Sequence, residues 1–227
     1  MVGWKKVGSF LSQYKSWCEA ETGDRNKRLW KAKIPLKIKI FMWLIKVNAI
    51  LTRNNLARKG WKCDKTCSFS ANPESIEHLF FGCVMTKYCW SLVSIVIGAD
   101  CRPASLNQYW VWANRFMPAH KKIHMIGLAA ICWAIWRMRN SIFFEDIKKC
   151  RSPTKIICLA SSFILYWSDP QSSDDKVELK VGAEALNNTA LLIHPQEAHL
   201  MIRGWFYFSS SWLPCACTYL SLKRFGS

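Results

Sequence analysis

The segment Ile34-Pro35-Leu36-Lys37-Ile38-Lys39-Ile40-Phe41-Met42-Trp43-Leu44-Ile45-Lys46-Val47 decides between strand and helix for the first strong apolar block of this 227-residue chain. Residues 33–40 alternate polar and apolar, the period of a half-buried strand. Pro35 opposes that reading, because proline cannot donate to a sheet ladder yet fits the first turn of a helix. From Ile40 onward the helical period takes over, with Ile40, Trp43, Leu44, Val47 and Leu51 on one stripe. Lys37, Lys39 and Lys46 fall off that stripe, toward solvent or a ligand. The block is read as helix.

Beyond that block, the chain reads as mainly α. Thr52 is placed to cap a short helix, 53–59, that Gly60 stops. Asn72-Pro73-Glu74 carries another start signal, a capping residue followed by proline and an acid. A further apolar segment runs over 88–97 to Gly98, and helices are expected over 108–116, 119–147 and 154–167. The polar run 169–175 reads as a breaker and boundary, and no clear period is found after it. Apolar stretches 123–136 and 156–167 are too short to span a bilayer. Residues 204–222 are uncharged but contain Pro214, and they are expected to be a hydrophobic tail more than a membrane span.

Charge is distributed unevenly. The formal net charge is +17. Residues 1–60 hold 14 Lys/Arg against 3 Asp/Glu, 61–170 hold 13 against 7, and 171–227 hold 5 against 5. An excess that is large, densest in residues 25–39 and absent from 171–227 points to a polyanionic partner. The expected contacts are Arg25, Lys27, Arg28, Lys31, Lys33, Lys37, Lys39 and Lys46. Trp30, Phe41, Trp43 and Trp61 interleave with the lysines, either as a base-stacking platform or as core. Eleven cysteines, an odd number at irregular spacings, do not form a secreted disulfide framework. Lys5 and Lys6 lead into mixed sequence, so a reducing, intracellular setting is expected.

Metal-ligand residues cluster between positions 63 and 89. His78 and Cys83 stand at H-x4-C spacing, with Cys67 upstream. On a straight helix the two would lie about 140° apart around the axis, so both can ligate only if the helix breaks near Gly82. A structural zinc site takes four nitrogen or sulfur donors. A C-x2-C pair would need cysteine at position 70, where this chain has Ser70. Cys63, at C-x3-C spacing from Cys67, could supply the fourth donor; three ligands plus water is the other arrangement. No polymerase acid pair, phosphate loop or hydrolase motif is present, and Asp174-Asp175 falls in the polar run. His120 and His124, four apart, lack a third ligand nearby.

The run from Leu29 to Trp43, then Leu51-Thr52-Arg53-Asn54-Asn55-Leu56, Gly60-Trp61, Cys67-Ser68-Phe69, Glu74-Ser75-Ile76-Glu77-His78-Leu79-Phe80-Phe81, Cys83 and Trp90, resembles the reverse-transcriptase zinc-binding domain of plant LINE-type (non-LTR) retrotransposons. The resemblance covers about residues 24–97. Trp133-Ala134-Ile135-Trp136-Arg137-Met138-Arg139-Asn140-Ser141-Ile142-Phe143 is similar to the stretch commonly found after that domain in such elements and extends the resemblance to about 168. The resemblance implies a small helical zinc module that holds nucleic acid. Its first, third and fourth ligands fall on Cys67, His78 and Cys83, and its second on Ser70.

The resulting organisation is a flanking segment 1–23, a zinc-binding-like domain 24–97, a helical segment 98–168, and a linker with hydrophobic tail 169–227. The expected function is a non-catalytic module that binds zinc through Cys67, His78, Cys83 and Cys63 and binds RNA or single-stranded DNA. It takes no small-molecule substrate. The rival reading is a decayed helical fragment without a ligand.

Overall fold

The structure is a computed structural model, and it describes residues 24–144 and 152–195. Residues 1–23, the apolar tail 204–222, Cys215, Cys217 and the side chain of Arg25 lie outside the described residues. The described chain is mainly helical: α1 (Asp24–Lys31), α2 (Leu36–Lys46), α3 (Arg53–Arg58), a π-helical turn (His78–Gly82), α4 (Val84–Ile97), α5 (Leu106–Phe116), a 3-10 turn (Pro118–His120), α6 (His124–Phe144), α7 (Pro153–Ser168) and α8 (Ser173–Ile193). Among the described residues the single β-type pairing is a bridge between Thr66 and Pro73. No helix there is long and apolar enough to cross a membrane.

Helix α2 forms as expected, with Pro35 just ahead of it and its carbonyl accepting from Ile38 N–H at 2.9 Å. The stripe it buries differs from the expected one. Ile38, Phe41, Met42 and Ile45 are buried, whereas Trp43 and Leu44 are half-buried and Val47 is exposed. Residues 40–45 are apolar on every side, so periodicity does not choose the inward face. Aromatic packing chooses it: the Phe41 ring meets Trp133 edge-on at 4.9 Å and Phe80 at 6.1 Å.

Caps explain most boundaries. Thr52 Oγ1 accepts from Asn55 N–H at 3.4 Å to open α3, Ser105 Oγ from Gln108 N–H at 3.1 Å to open α5, and Ser152 Oγ from Thr154 N–H at 3.1 Å to open α7. Gly98 closes α4 at φ 68°, the left-handed conformation that favours glycine. One start signal is corrected. Asn72-Pro73-Glu74 does not open a helix, because these residues pair back on the preceding loop. Cys67 N–H donates to Asn72 O at 2.8 Å and Glu74 N–H to Lys65 O at 2.7 Å. The cap is Ser75, whose Oγ accepts from His78 N–H at 3.0 Å.

The expectation of a linker after residue 169 is corrected as well. The polar run 169–175 leads directly into α8, with Asp174 and Asp175 in its first turn, where carboxylates meet the free amides of the helix end. Its buried face is Leu179, Ala183, Leu186 and Ala190, which packs on α7. Two of those four are alanines, so the stripe carries little hydropathy signal.

The core runs from α2 through the π turn and α4 to α6 and α7. One ion pair crosses it. Glu74 is fully buried, and the Arg139 side chain on α6 is 3% exposed. Arg139 Nη2 and Nε donate to Glu74 Oε1 at 2.7 and 3.2 Å, and Nε also to Oε2 at 3.2 Å. Oε1 additionally accepts from Arg53 N–H at 2.9 Å, at the start of α3. The guanidinium lies over the Trp136 ring at 5.0 Å.

Removing one partner leaves an uncompensated charge inside the protein, which costs about 3–5 kcal/mol. Glu74→Gln and Arg139→Met should each lower unfolding stability by that order in urea titration. The double variant should be less destabilised than the sum of the two. Additive losses would contradict the direct pairing.

Candidate metal centre

Three of the four expected ligands converge. The Sγ atoms of Cys67 and Cys83 and a ring nitrogen of His78 lie within 4.8 Å of one another. Each comes from a different local device. Cys67 opens the loop that the Thr66–Pro73 bridge closes, and its Sγ accepts from Phe69 N–H at 3.4 Å. His78 begins the π-helical turn, and Cys83 comes after it in extended conformation at φ −67°, ψ 145°. The break that the spacing demanded is therefore present. It is a widened turn, with Cys83 N–H donating to His78 O at 2.7 Å, and it does not use a left-handed glycine. A Cβ on Gly82 would meet His78 Nδ1 at 3.6 Å, an ordinary contact.

Position 70 belongs to the same cluster. Ser70 Oγ and His78 Nε2 share a hydrogen bond of 2.9 Å, and the Ser70 hydroxyl also bonds Cys83 Sγ. Cys63 does not join the group; its thiol donates to the Arg53 carbonyl at 3.7 Å. The loop from Trp61 to Thr66 carries it toward α3, because Arg53 also bonds Asp64 there, at 3.4 Å.

The two cluster sulfurs are electronically unequal. The hydrogen bond between them favours thiolate at Cys83, brought down to about 5, and pushes the Cys67 thiol up. The Met85 amide, in the first turn of α4, adds to the stabilisation at Cys83. A thiolate at a helix N-terminus is a recurrent metal and anion environment.

Two sulfurs and an imidazole are the donor types zinc takes, and bonds of about 2.3 and 2.0 Å around a tetrahedral ion place donors about 3.3–3.8 Å apart. Closing from 4.8 Å needs a contraction of roughly 1–1.5 Å or less at each pair. The residues fit the ion. Zinc held there would tie the 67–73 loop to the N-terminus of α4.

Outside the cluster, sequence expectations divide. Cys89 is a core thiol raised by burial, bonding Pro153 O at 3.7 Å. His120 pairs with Glu178 at 2.7 Å while buried His124 bonds Met117 O at 2.8 Å, so those two histidines serve different partners. Lys27, Lys31, Lys33, Lys37 and Lys46 are exposed, and Arg28 is half-buried. Lys39 differs from the expectation of a lysine facing solvent or a ligand: its Nζ donates to Trp30 O at 2.8 Å, closing the end of α1, and burial lowers its pKa. Among the aromatics, Phe41 is core and Trp61 is 50% exposed, flanked by exposed Lys59 and Lys62.

Two residues support the cluster in ways that local sequence does not reveal. Glu74 holds the 67–73 loop through Arg139, and the signal was the pair of arginines, 137 and 139, ending an otherwise apolar segment. Trp90, buried and stacked on Phe81 at 5.4 Å, donates its indole N–H to the Phe80 carbonyl at 2.8 Å inside the π turn. Trp90→Phe should cost about 1–3 kcal/mol for the orphaned carbonyl, visible as a lower unfolding midpoint. It should also weaken metal affinity by about 10–100-fold, the usual effect of losing outer support. An unchanged affinity would show that the π turn does not depend on this bond.

Comparison with known proteins agrees with this site. Residues 9–90 match the family described as zinc-binding in reverse transcriptase, a span that contains Cys67, Ser70, His78 and Cys83. A curated protein of Arabidopsis thaliana, whose name gives it a provisional ribonuclease H assignment, is 23% identical over 134 residues, 57% of this chain. The chain spans 21% of that relative's length. No solved structure matches. The similarity to the family described as zinc-binding in reverse transcriptase thus covers the segment 9–90, in which the motif order and the converged Cys67, His78 and Cys83 are both in place.

Proposed function

We propose that this protein uses Cys67, His78 and Cys83 to hold one zinc ion that fixes the 67–83 region, and that the basic face ahead of it binds RNA or single-stranded DNA without catalysing a reaction. The observation that carries the reading is the convergence of two sulfurs and an imidazole nitrogen within 4.8 Å in a chain of net charge +17. Exposed Lys27, Lys31, Lys33, Lys37 and Lys46 supply cations that can track a phosphate backbone. Trp61, half exposed among Arg58, Lys59, Lys62 and Lys65, offers a face on which an unpaired base can stack. The tie between Lys39 and Trp30 O removes Lys39 from that set and gives it a structural role. The ribonuclease H name belongs to a relative of which this chain spans about a fifth, and no activity is carried over from it.

One observation favours the rival reading, a ligand-free helical fragment: His78 Nε2 already has a protein partner in Ser70 Oγ, at 2.9 Å. Metal analysis separates the two. Purified wild-type protein should carry about one zinc per chain, and His78→Ala should lose it with its helicity largely retained. No zinc in a well-folded wild type would favour the fragment.

Nucleic-acid binding is tested by salt. Affinity for a single-stranded oligonucleotide should fall steeply with rising salt, with a log–log slope of about −0.7 per phosphate contact. Replacing Lys27, Lys31, Lys37 and Lys46 together by alanine should make that slope shallower by about 3. A flat salt response in the wild type, or an unchanged slope in the variant, would contradict the proposed face.

A further inference from the structure

The zinc position is supplied with three strong donors and one hydroxyl. Ser70 stands on the ligand face, since its Oγ reaches both His78 Nε2, at 2.9 Å, and Cys83 Sγ. A neutral serine hydroxyl is not among the groups that hold zinc in proteins, which are thiolate, imidazole and carboxylate. Among the described residues, no other Cys, His, Asp or Glu joins the group. Cys63, the nearest alternative in sequence, is engaged by the Arg53 carbonyl, and the Arg53 guanidinium pairs with Asp64 one residue further on. Glu74, the nearest buried carboxylate in sequence, is committed to Arg139 and to the Arg53 amide.

From this arrangement we infer that Ser70 leaves the metal's fourth coordination position open to solvent, exchangeable for a small external thiolate, and that this makes the centre a ligand-binding site as well as a structural clamp. The inference rests on the zinc reading above. When the metal takes His78 Nε2, the Ser70 hydroxyl loses that partner and is free to orient the water in the open position. Cys67 and Cys83 are buried, whereas Ser70 and His78 are each half-buried, so the open position faces the accessible side of the cluster. The choice of thiolate comes from the donor set: two sulfurs already present make a centre suited to a third soft ligand. Two thiolates and a neutral imidazole leave the zinc centre with no net charge, so an incoming anion meets no local repulsion from it.

Cobalt(II) substitution gives a visible readout of coordination that does not depend on activity. The full-length protein, kept reduced with a phosphine, would be loaded with cobalt and titrated with 2-mercaptoethanol, and the metal retained after desalting would be counted. Wild type should give a thiolate-to-cobalt absorption that shifts and intensifies with added thiol while the metal stays bound. Ser70→Cys should show the intensified spectrum without added thiol, no further response to it, and affinity raised roughly tenfold or more by the extra thiolate. Ser70→Ala should respond as wild type does, which covers the case in which the cysteine variant misfolds.

A wild-type spectrum that binds cobalt yet ignores thiol would overturn the open position and leave the zinc reading standing. So would a thiol response that appears only after Cys63→Ala, because Cys63 would then be the closing ligand. Failure of the wild type to bind cobalt or zinc at all would overturn both.

Discussion

The buried pair of Glu74 and Arg139 is the constraint on which the rest of the structure depends. Sixty-five positions separate the two residues, and the bond between them joins the ligand-bearing loop to the long core helix α6. The same carboxylate accepts from the Arg53 amide, so one side chain fixes the start of α3, the exit of the 67–73 loop and the register of α6. Burying two charges is expensive unless their hydrogen bonds are satisfied. Here the carboxylate has four donor contacts, and the guanidinium also reaches Asn140 Oδ1 at 3.0 Å. The geometry this secures is what allows Cys67 to face His78 and Cys83.

The Cys67–His78–Cys83 cluster is built from three local irregularities held against a regular core. A bridged loop presents Cys67, a π turn presents His78, and the extended residue after it presents Cys83 at the head of α4. Widened turns are uncommon and often mark functional positions. This one is locked from below by the Trp90 indole on Phe80 O and by Phe81 stacked on Trp90. Apart from that cluster, Lys27, Lys31, Lys33, Lys37 and Lys46 are exposed on α1, α2 and the loop between them; if they hold a phosphate backbone, as proposed, counterion release supplies the affinity.

Much of this was legible in the sequence. Pro35 and the helical period gave the helix at α2, Thr52 gave the cap of α3, and the spacing of His78 and Cys83 required a break that the structure contains. The illegible parts depend on distant contacts. The inward face of α2 is set by Phe41 against Trp133, which a segment apolar on all sides does not reveal. The Asn72-Pro73-Glu74 signal was overridden by pairing across the 67–73 loop, and Glu74 was taken up by an arginine on another helix. Helix α8 was hidden by its alanine-rich buried face. Cys63 has suitable sequence spacing, yet Arg53 and Asp64 draw its loop toward α3.

In the proposed zinc centre, Cys67, His78 and Cys83, with Ser70 beside them, supply two sulfur ligands and one nitrogen. X-ray absorption at the zinc edge of the purified, zinc-loaded protein tests it most directly. The first shell should hold two sulfurs at about 2.3 Å and two nitrogen or oxygen donors at about 2.0–2.1 Å. A shell of three or four sulfurs, or one of oxygen and nitrogen alone, would contradict it.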